Sequence, residues 1–235
     1  MSLAVYKHIG DKRISSKIDE FFMYTIAFLS QKGGAGKTTL ATCVARQLQL
    51  EGEDVILVDS DPQGSARDWR AASEKDSVVV VGVDRPTLDK DIKTRSNNGK
   101  RWVVVDGAPR SEQMTVSTIK AADIVLIPVQ PSPYDVWAAE DLVSIVRARQ
   151  EVTDGKPKAA FLISRAIKRT ELSKEVIGAL EDFELPVFVA KTTQLVTYPK
   201  SASIGSTPMD TEPDGNAAKE VRAIVAELRQ MLQQK

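Results

Sequence analysis

The sequence has almost none of the side chains that form disulfides and soft-metal centres. Its 235 residues include one cysteine, Cys43, and one histidine, His8. One cysteine cannot form an internal disulfide, and this pair cannot supply the ligands of a zinc or iron–sulfur site within one chain. We therefore expect a protein of the reducing cytoplasm without either kind of site.

Long apolar runs and an excess charge of either sign are also missing. No apolar run reaches the roughly 18 residues that a membrane span needs, and the N-terminus lacks the apolar core of a secretory signal. Lys and Arg number 32, as do Asp and Glu, so the formal net charge is zero. Any nucleic acid or acidic lipid partner must therefore bind a local patch. With 42% apolar residues, disorder of the whole chain is excluded.

From Tyr24 onward, short apolar runs alternate with helical patterns, which predicts an α/β fold. We expect a mostly parallel, twisted sheet of about seven strands with helices on both faces. The predicted strands are Tyr24–Ser30, Asp54–Asp59, Val78–Val83, Trp102–Asp106, Ile124–Val129, Ala159–Ser164 and Val187–Ala190. The predicted helices are Lys37–Leu50, Ala66–Ser73, Leu88–Thr94, Thr115–Ala121, Val136–Gln150, Ser173–Phe183 and Gly215–Gln233.

Residues 1–22 mix charges without clear periodicity, and the fold is expected to begin at Met23. We interpret residues 1–22 as an extension, a leader or a misassigned start, with a short docking helix over Ser16–Phe22 as the alternative. Residues 23–235 are expected to form a single domain. The apolar stripe of the last helix predicts docking on the sheet rather than on a membrane. Its members are Val221, Ile224, Val225, Leu228 and Leu232.

A glycine-rich segment between the first strand and the first helix carries the strongest functional signal. It reads Lys32-Gly33-Gly34-Ala35-Gly36-Lys37-Thr38-Thr39. Glycines allow backbone N–H groups to turn toward phosphate oxygens, and the helix N-terminus adds a favourable dipole. The segment therefore predicts a phosphate-binding loop, in which Lys37 bridges the β- and γ-phosphates and Thr38 binds Mg²⁺.

Lys32 is an additional lysine at the start of this loop, and Gln31 precedes it where the general pattern has glycine. With these residues, the chain from about Met23 onward resembles the ParA/MinD family of deviant Walker A P-loop ATPases, particularly the short partition ParA proteins. The resemblance implies ATP and Mg²⁺ as cofactors. It also implies a homodimer with ATP, in which Lys32 reaches the phosphates bound by the partner subunit.

Acidic residues lie at the ends of two predicted strands. Asp59 and Asp61 belong to Asp59-Ser60-Asp61-Pro62-Gln63-Gly64, and Asp106 ends Trp102–Asp106. Carboxylates at the C-terminal ends of parallel strands face the crevice where such sheets bind ligands. By the resemblance, Asp61 orients or activates the attacking water and is catalytic together with Lys32 and Lys37. Asp59 and Asp106 would support the Mg²⁺ shell. Loop capping is the alternative for Asp59 and Asp61.

Two further segments are assigned by resemblance. Pro131-Ser132-Pro133-Tyr134-Asp135 is similar to a stretch of small ParA proteins near the expected dimer face, and a stiff loop with Asp135 as a helix N-cap is the alternative. Thr193, Gln194 and Tyr198 lie where relatives contact adenine, although Leu195 occupies a position that is often arginine there.

A basic stretch over Arg147–Lys174 holds eight basic and three acidic residues. Such stretches are often solvated faces, but ParA dimers bind DNA without sequence preference. We therefore predict that Arg165, Lys168 and Arg169 bind DNA phosphates.

The resemblance predicts a Mg-ATP-dependent DNA partition ATPase. Its ATP-bound dimer would bind non-specific DNA in the cytoplasm, on the nucleoid, and segregate plasmid or chromosome DNA. A ParB-like or other small adaptor would stimulate slow hydrolysis and release it. No stable membrane association is expected. The alternatives are a MinD-like ATPase that cycles on membranes and an ATPase that positions another cargo.

Overall fold

The structure is a computed structural model that describes residues 23–74, 77–95, 102–109, 111–167 and 171–234. The extension predicted over residues 1–22, with its alternative docking helix, lies outside these residues.

The described residues form a six-stranded sheet in which every neighbouring pair of strands is parallel. Its order is β3-β2-β4-β1-β5-β6. Burial on both faces explains why the strands are nearly continuous apolar runs. The strands are β1 Tyr24–Phe28, β2 Val55–Asp59, β3 Val79–Gly82, β4 Trp102–Asp106, β5 Ile124–Val129 and β6 Lys158–Ile163.

Helices cover both faces of this sheet and create two main apolar cores. One core packs β1 and β5 side chains against α1 and α10, and the other packs the opposite faces of the strands against α3, α4, α6 and α7. The helices are α1 Lys37–Leu50, α2 Ser65–Ala71, α3 Leu88–Arg95, α4 Glu112–Ala121, α5 Pro133–Trp137, α6 Glu140–Glu151, α7 Glu171–Glu181, α8 Thr197–Ala202, α9 Pro208–Thr211 and α10 Asn216–Gln233. The predicted α/β fold class is confirmed.

The seventh predicted strand, Val187–Ala190, is wrong. Val187 makes only a single bridge to Phe161. The N–H of Phe188 still donates to the Phe161 carbonyl at 2.9 Å, but the N–H groups of Val189 and Ala190 donate to the carboxylate of Glu227 on α10 at 2.9 and 2.8 Å. A side chain thus takes the place of a neighbouring strand as the hydrogen-bond acceptor.

Two helical regions also differ from the prediction. The helix expected over Val136–Gln150 is divided into α5 and α6, and α8 and α9 were not predicted. Both of these short helices carry a proline in the first turn, Pro199 and Pro208. Proline is tolerated there because the first N–H groups of a helix have no partner within it.

The predicted apolar stripe of α10 is confirmed. Val221, Ile224, Val225 and Leu228 are buried, and Leu232 packs against the same core at its edge. The helix lies along α1 and closes one face of the sheet. Across the described part of the chain, no helix is both long and apolar enough to cross a membrane.

Replacing Leu228 with alanine should lower the free energy of unfolding by about 2–5 kcal/mol, because Leu228 is fully buried and its removal leaves a cavity. Urea denaturation measures this loss. Gln230→Ala, on the exposed side of the same helix, is the control and should change stability by no more than about 0.5 kcal/mol. Equal stabilities of the two variants would contradict the packing of α10.

Candidate nucleotide-binding site

The predicted site residues meet at the C-terminal edge of the sheet. Strand register places Phe28, Asp106 and Asp59 side by side on β1, β4 and β2. The loop that leaves β1 therefore begins next to both carboxylates. This is the crevice where parallel sheets bind ligands.

The loop between β1 and α1 has the backbone that an anion site needs. Gly34 and Gly36 have φ angles of 78° and 96°, a left-handed conformation that favours glycine. Gly36 precedes α1 without any side-chain cap, so the first N–H groups of the helix are available to a ligand. Gly33 and Gly34 have open space where a Cβ would lie.

Lys37 points into this loop. Its ammonium donates to the carbonyl oxygens of Ser30 and Lys32, both at 3.2 Å. Burial lowers the pKa of Lys37, and the negative charges of Asp106 and Asp61 oppose that shift. The structure thus places the Lys37 ammonium in the loop beside these carboxylates, and its binding of phosphate stays a prediction.

Asp106 carries a buried carboxylate at the end of β4. It is 1% exposed, and neither of its oxygens has a partner among the residues that the structure describes. Burial raises the pKa of Asp106 to about 7; the nearby Thr38 hydroxyl opposes the shift and the charge of Asp59 adds to it. A buried charge is costly unless a cation engages it. Oxygen ligands suit Mg²⁺, so Asp106 and Thr38 fit this ion.

Asp59 is also buried, but unlike Asp106 it has hydrogen bonds to both of its carboxylate oxygens. One accepts the N–H of Asp61 at 3.1 Å and the other accepts the N–H of Arg67 at 3.0 Å. Asp61 in turn accepts the N–H of Gln63 at 3.0 Å. This geometry supports the capping alternative for Asp59, and its role in the Mg²⁺ shell stays a prediction.

Lys32, expected to reach a partner subunit, forms an ion pair with Asp135 of its own chain. The other oxygen of Asp135 accepts the N–H of Gln130 at 3.1 Å, and the Gln130 amide donates to the Gly34 carbonyl at 2.7 Å. The alternative role of Asp135 as an N-cap is wrong, since Ser132 precedes α5. The segment after β5 therefore supports the phosphate-binding loop.

A cavity of about 390 Å³ lies elsewhere, beside α2 and residues 203–211, whereas one of about 310 Å³ adjoins the phosphate-binding loop. The latter extends from Gly36 to the predicted adenine contacts Thr193, Gln194 and Tyr198. The hydroxyl of Tyr198 and the N–H of Thr193 donate to Glu220 at 2.8 and 3.0 Å. Of the three predicted adenine contacts, only Gln194 is exposed.

Arg165, predicted to bind DNA, lines this same cavity beside the phosphate-binding loop. Its φ angle is 52°, and its N–H donates to the Thr192 hydroxyl at 3.1 Å. Lys168 and Arg169 lie outside the described residues. The structure therefore brings Arg165 close to the nucleotide site, and the three-residue DNA surface stays a prediction.

The sequence matches the CobQ/CobB/MinD/ParA nucleotide binding domain over residues 26–203. The chain belongs to this family. The match begins in β1 and includes the phosphate-binding loop and Asp59, Asp61 and Asp106. ATP with Mg²⁺ is the cofactor pair of the family's ParA/MinD ATPases, as predicted.

Individual relatives align with between 63% and 90% of the chain. The chain is 29% identical to "Maintenance of carboxysome distribution protein A" of Halothiobacillus neapolitanus, over 87% of this chain and 96% of the relative. It is 30% identical to "Protein ParA" of Rhizobium radiobacter, over 63% and 69% respectively. Septum site-determining protein MinD of Pyrococcus horikoshii, solved with Mg-ADP, has a similar fold. The TM-score is 0.71 at 15% identity, over 90% of this chain and 98% of that one.

The sequence did not predict the residues that hydrogen-bond to the site from distant positions in the chain. Asp135 was assigned to the dimer face or to a cap, and Gln130 and Glu220 were given no role. Adjacency of β1 and β5 would have suggested that the loops after them meet. No local pattern signals that Glu220 reaches Thr193 across 27 positions of sequence.

The buried carboxyl of Asp106 should make stability fall as pH rises. Between about pH 4 and pH 7 the folded state keeps a proton that the unfolded state releases, so the folded state loses stability across this window. The shift from 3.8 to about 7 corresponds to about 4 kcal/mol. Asp106→Asn should remove this loss and be more stable than the unaltered protein at pH 8, without nucleotide or Mg²⁺.

Urea denaturation at pH 4.5 to 8 measures this difference. Asp68→Asn, which changes an exposed carboxylate on α2, is the control and should follow the unaltered protein. An identical pH dependence in Asp106→Asn would show that Asp106 is ionised in the folded protein throughout.

Proposed function

We propose that this protein is a ParA-type ATPase whose Mg-ATP-bound homodimer binds non-specific DNA. An adaptor protein, ParB-like or another small protein, stimulates hydrolysis and so releases the dimer from the nucleoid. The observation that supports the nucleotide site most strongly is the buried carboxylate of Asp106, which lies near the buried ammonium of Lys37 and has no hydrogen-bond partner in the described part of the chain. Burial disfavours the charged form of both groups, and a ligand that carries both charges, as Mg-ATP does, relieves this cost.

Each residue of the site then has a distinct task. The backbone of residues 33–36 and the N-terminus of α1 bind phosphate oxygens, and Lys37 neutralises their charge. Thr38 and Asp106 are the residues that would hold Mg²⁺. The bound ion neutralises charge on the phosphate oxygens.

Asp61 orients the attacking water. Its carboxylate is directed by the Gln63 N–H, and its main chain is fixed by Asp59. A carboxylate in this position can accept the proton of the water as the new bond forms. Asp61 therefore acts on the rate of hydrolysis, whereas Lys37 acts already on binding.

Lys32 must leave Asp135 before it can reach a partner subunit. Its side chain is 42% exposed whereas that of Asp135 is 3% exposed, so the lysine is the member of the pair that a partner subunit can approach. ATP phosphates on an apposed subunit offer Lys32 a stronger negative charge than one carboxylate does. Dimer formation would thus exchange an ion pair within the chain for one between chains.

The roles of Lys37 and Asp61 can be separated by comparing ATP binding with hydrolysis. Lys37→Ala should weaken ATP binding at least tenfold, since the buried ammonium is lost. Asp61→Ala should bind ATP within about threefold of the unaltered protein and hydrolyse it about 100-fold more slowly. Calorimetry and a phosphate-release assay measure the two effects. Lys120→Ala, exposed on α4, is the control; normal turnover by Asp61→Ala would refute its role.

DNA binding should require ATP, because one subunit offers few phosphate contacts and a dimer doubles them. Each contact contributes roughly −0.9 to the slope of log K against log salt. Changing Arg165, Lys168 and Arg169 together to alanine should flatten this slope and abolish ATP-dependent retention on random duplex DNA. Lys32→Ala should lose both dimer formation by light scattering and DNA retention. Retention by the triple variant equal to that of the unaltered protein would exclude this surface.

A second candidate is the positioning of a protein cargo on the nucleoid. It is supported by the similarity to "Maintenance of carboxysome distribution protein A", which extends over most of both chains. The same nucleotide site would serve either cargo. Deleting the gene and following plasmid retention alongside the spacing of cytoplasmic bodies separates the two functions.

A MinD-like function would instead require ATP-dependent sedimentation with vesicles that contain acidic lipids.

A further inference from the structure

Arg67 joins the two acidic residues at the end of β2. Its own N–H donates to the Asp59 carboxylate at 3.0 Å, and its Nε lies 3.4 Å from the same oxygen. Its Nη2 donates to the carbonyl oxygen of Asp61 at 3.0 Å. One side chain from the first turn of α2 therefore spans the loop that carries Asp61.

Two glycines leave the space that this guanidinium fills. A Cβ on Gly64 would lie 3.1 Å from Nη2 of Arg67, and a Cβ on Gly82 would lie 3.1 Å from Nη1. Gly82 is the register neighbour of Asp59 on the adjacent strand. The sheet thus supplies one wall of the slot, and the turn into α2 supplies the other.

The peptide groups of Asp61 are held from both sides. The Asp61 N–H donates to Asp59, and the Asp61 carbonyl accepts from Arg67. Asp59 is fully buried, and Arg67 is the only Lys or Arg within 4 Å of it in the described ranges of the chain. With its main chain anchored at both polar atoms, Asp61 has little freedom except in its side chain.

We propose that Arg67 is a positioning residue for hydrolysis, acting through Asp61. This inference rests on the proposed function. Among the residues that the structure describes, Arg67 bonds to Asp59 and to the Asp61 carbonyl and not to the phosphate-binding loop, Thr38 or Asp106. Its loss should therefore change the rate of the chemical step and leave nucleotide binding intact, because only the geometry around Asp61 is disturbed.

Steady-state hydrolysis and ATP binding by Arg67→Gln test the proposal. We expect kcat to fall at least tenfold while the Kd for Mg-ATP stays within threefold. Arg67→Lys keeps the charge but lacks the planar fork that reaches both Asp59 and the Asp61 carbonyl, so it should rescue kcat only in part. Arg70→Gln, one turn later on α2, is the matched control and should resemble the unaltered protein. A kcat within twofold for Arg67→Gln, or equal losses of kcat and affinity, would overturn the proposal.

Amide hydrogen exchange without nucleotide provides a readout that does not depend on turnover. The N–H groups of Asp61, Gln63 and Gly64 all bond within the loop. They should exchange faster in Arg67→Gln, while those of β4 stay protected. Unchanged exchange in the loop would show that Arg67 does not hold it.

Absence of hydrolysis by the unaltered protein would contradict the proposed function, whereas normal hydrolysis with an unaffected Arg67→Gln would contradict this inference alone.

Discussion

The site depends on the burial of opposite charges at one edge of a parallel sheet. Strand register brings Asp59 and Asp106 together, and the loop after β1 places the ammonium of Lys37 near them. Burial disfavours the charged form of both Lys37 and Asp106, as the directions of their pKa shifts indicate. A ligand that brings phosphate to Lys37 and a cation to Asp106 relieves both costs.

The remaining acidic residues near the site are already engaged within the chain. Asp59 accepts N–H groups from the loop after β2 and from α2, Asp135 pairs with Lys32, and Glu220 accepts from Thr193 and Tyr198. Each fixes a segment around the nucleotide site. This division of tasks explains why Asp106 stands out as the carboxylate available to a metal ion. It also means that the site is largely formed before a nucleotide binds, which lowers the entropic cost of binding.

Features that depend on neighbouring residues in sequence could be predicted. The bounds of α1, β4 and β5 agree with the prediction, because apolar runs end at clear polar or glycine signals. The phosphate-binding loop could be predicted because the residues that define it, Lys32 to Thr39, are consecutive in sequence. Two other features depend on residues far away in sequence. The N–H of Ala190 donates to Glu227, 37 positions away, which explains why the strand predicted over Val187–Ala190 does not form. Lys32 contacts Asp135, 103 positions away. The periodicity of the local sequence does not predict such long-range contacts.

The dependence of ATP binding on Mg²⁺ tests the central claim most directly. Calorimetric titration of the unaltered protein with ATP at pH 8 should show one site per chain. The affinity should fall at least tenfold when Mg²⁺ is replaced by a chelator, because ATP alone brings no cation to Asp106. The same comparison with Asp106→Asn should show a much smaller difference. Equal affinity with and without Mg²⁺ in the unaltered protein, or no binding at all, would contradict the assignment of this edge of the sheet as a Mg-ATP site.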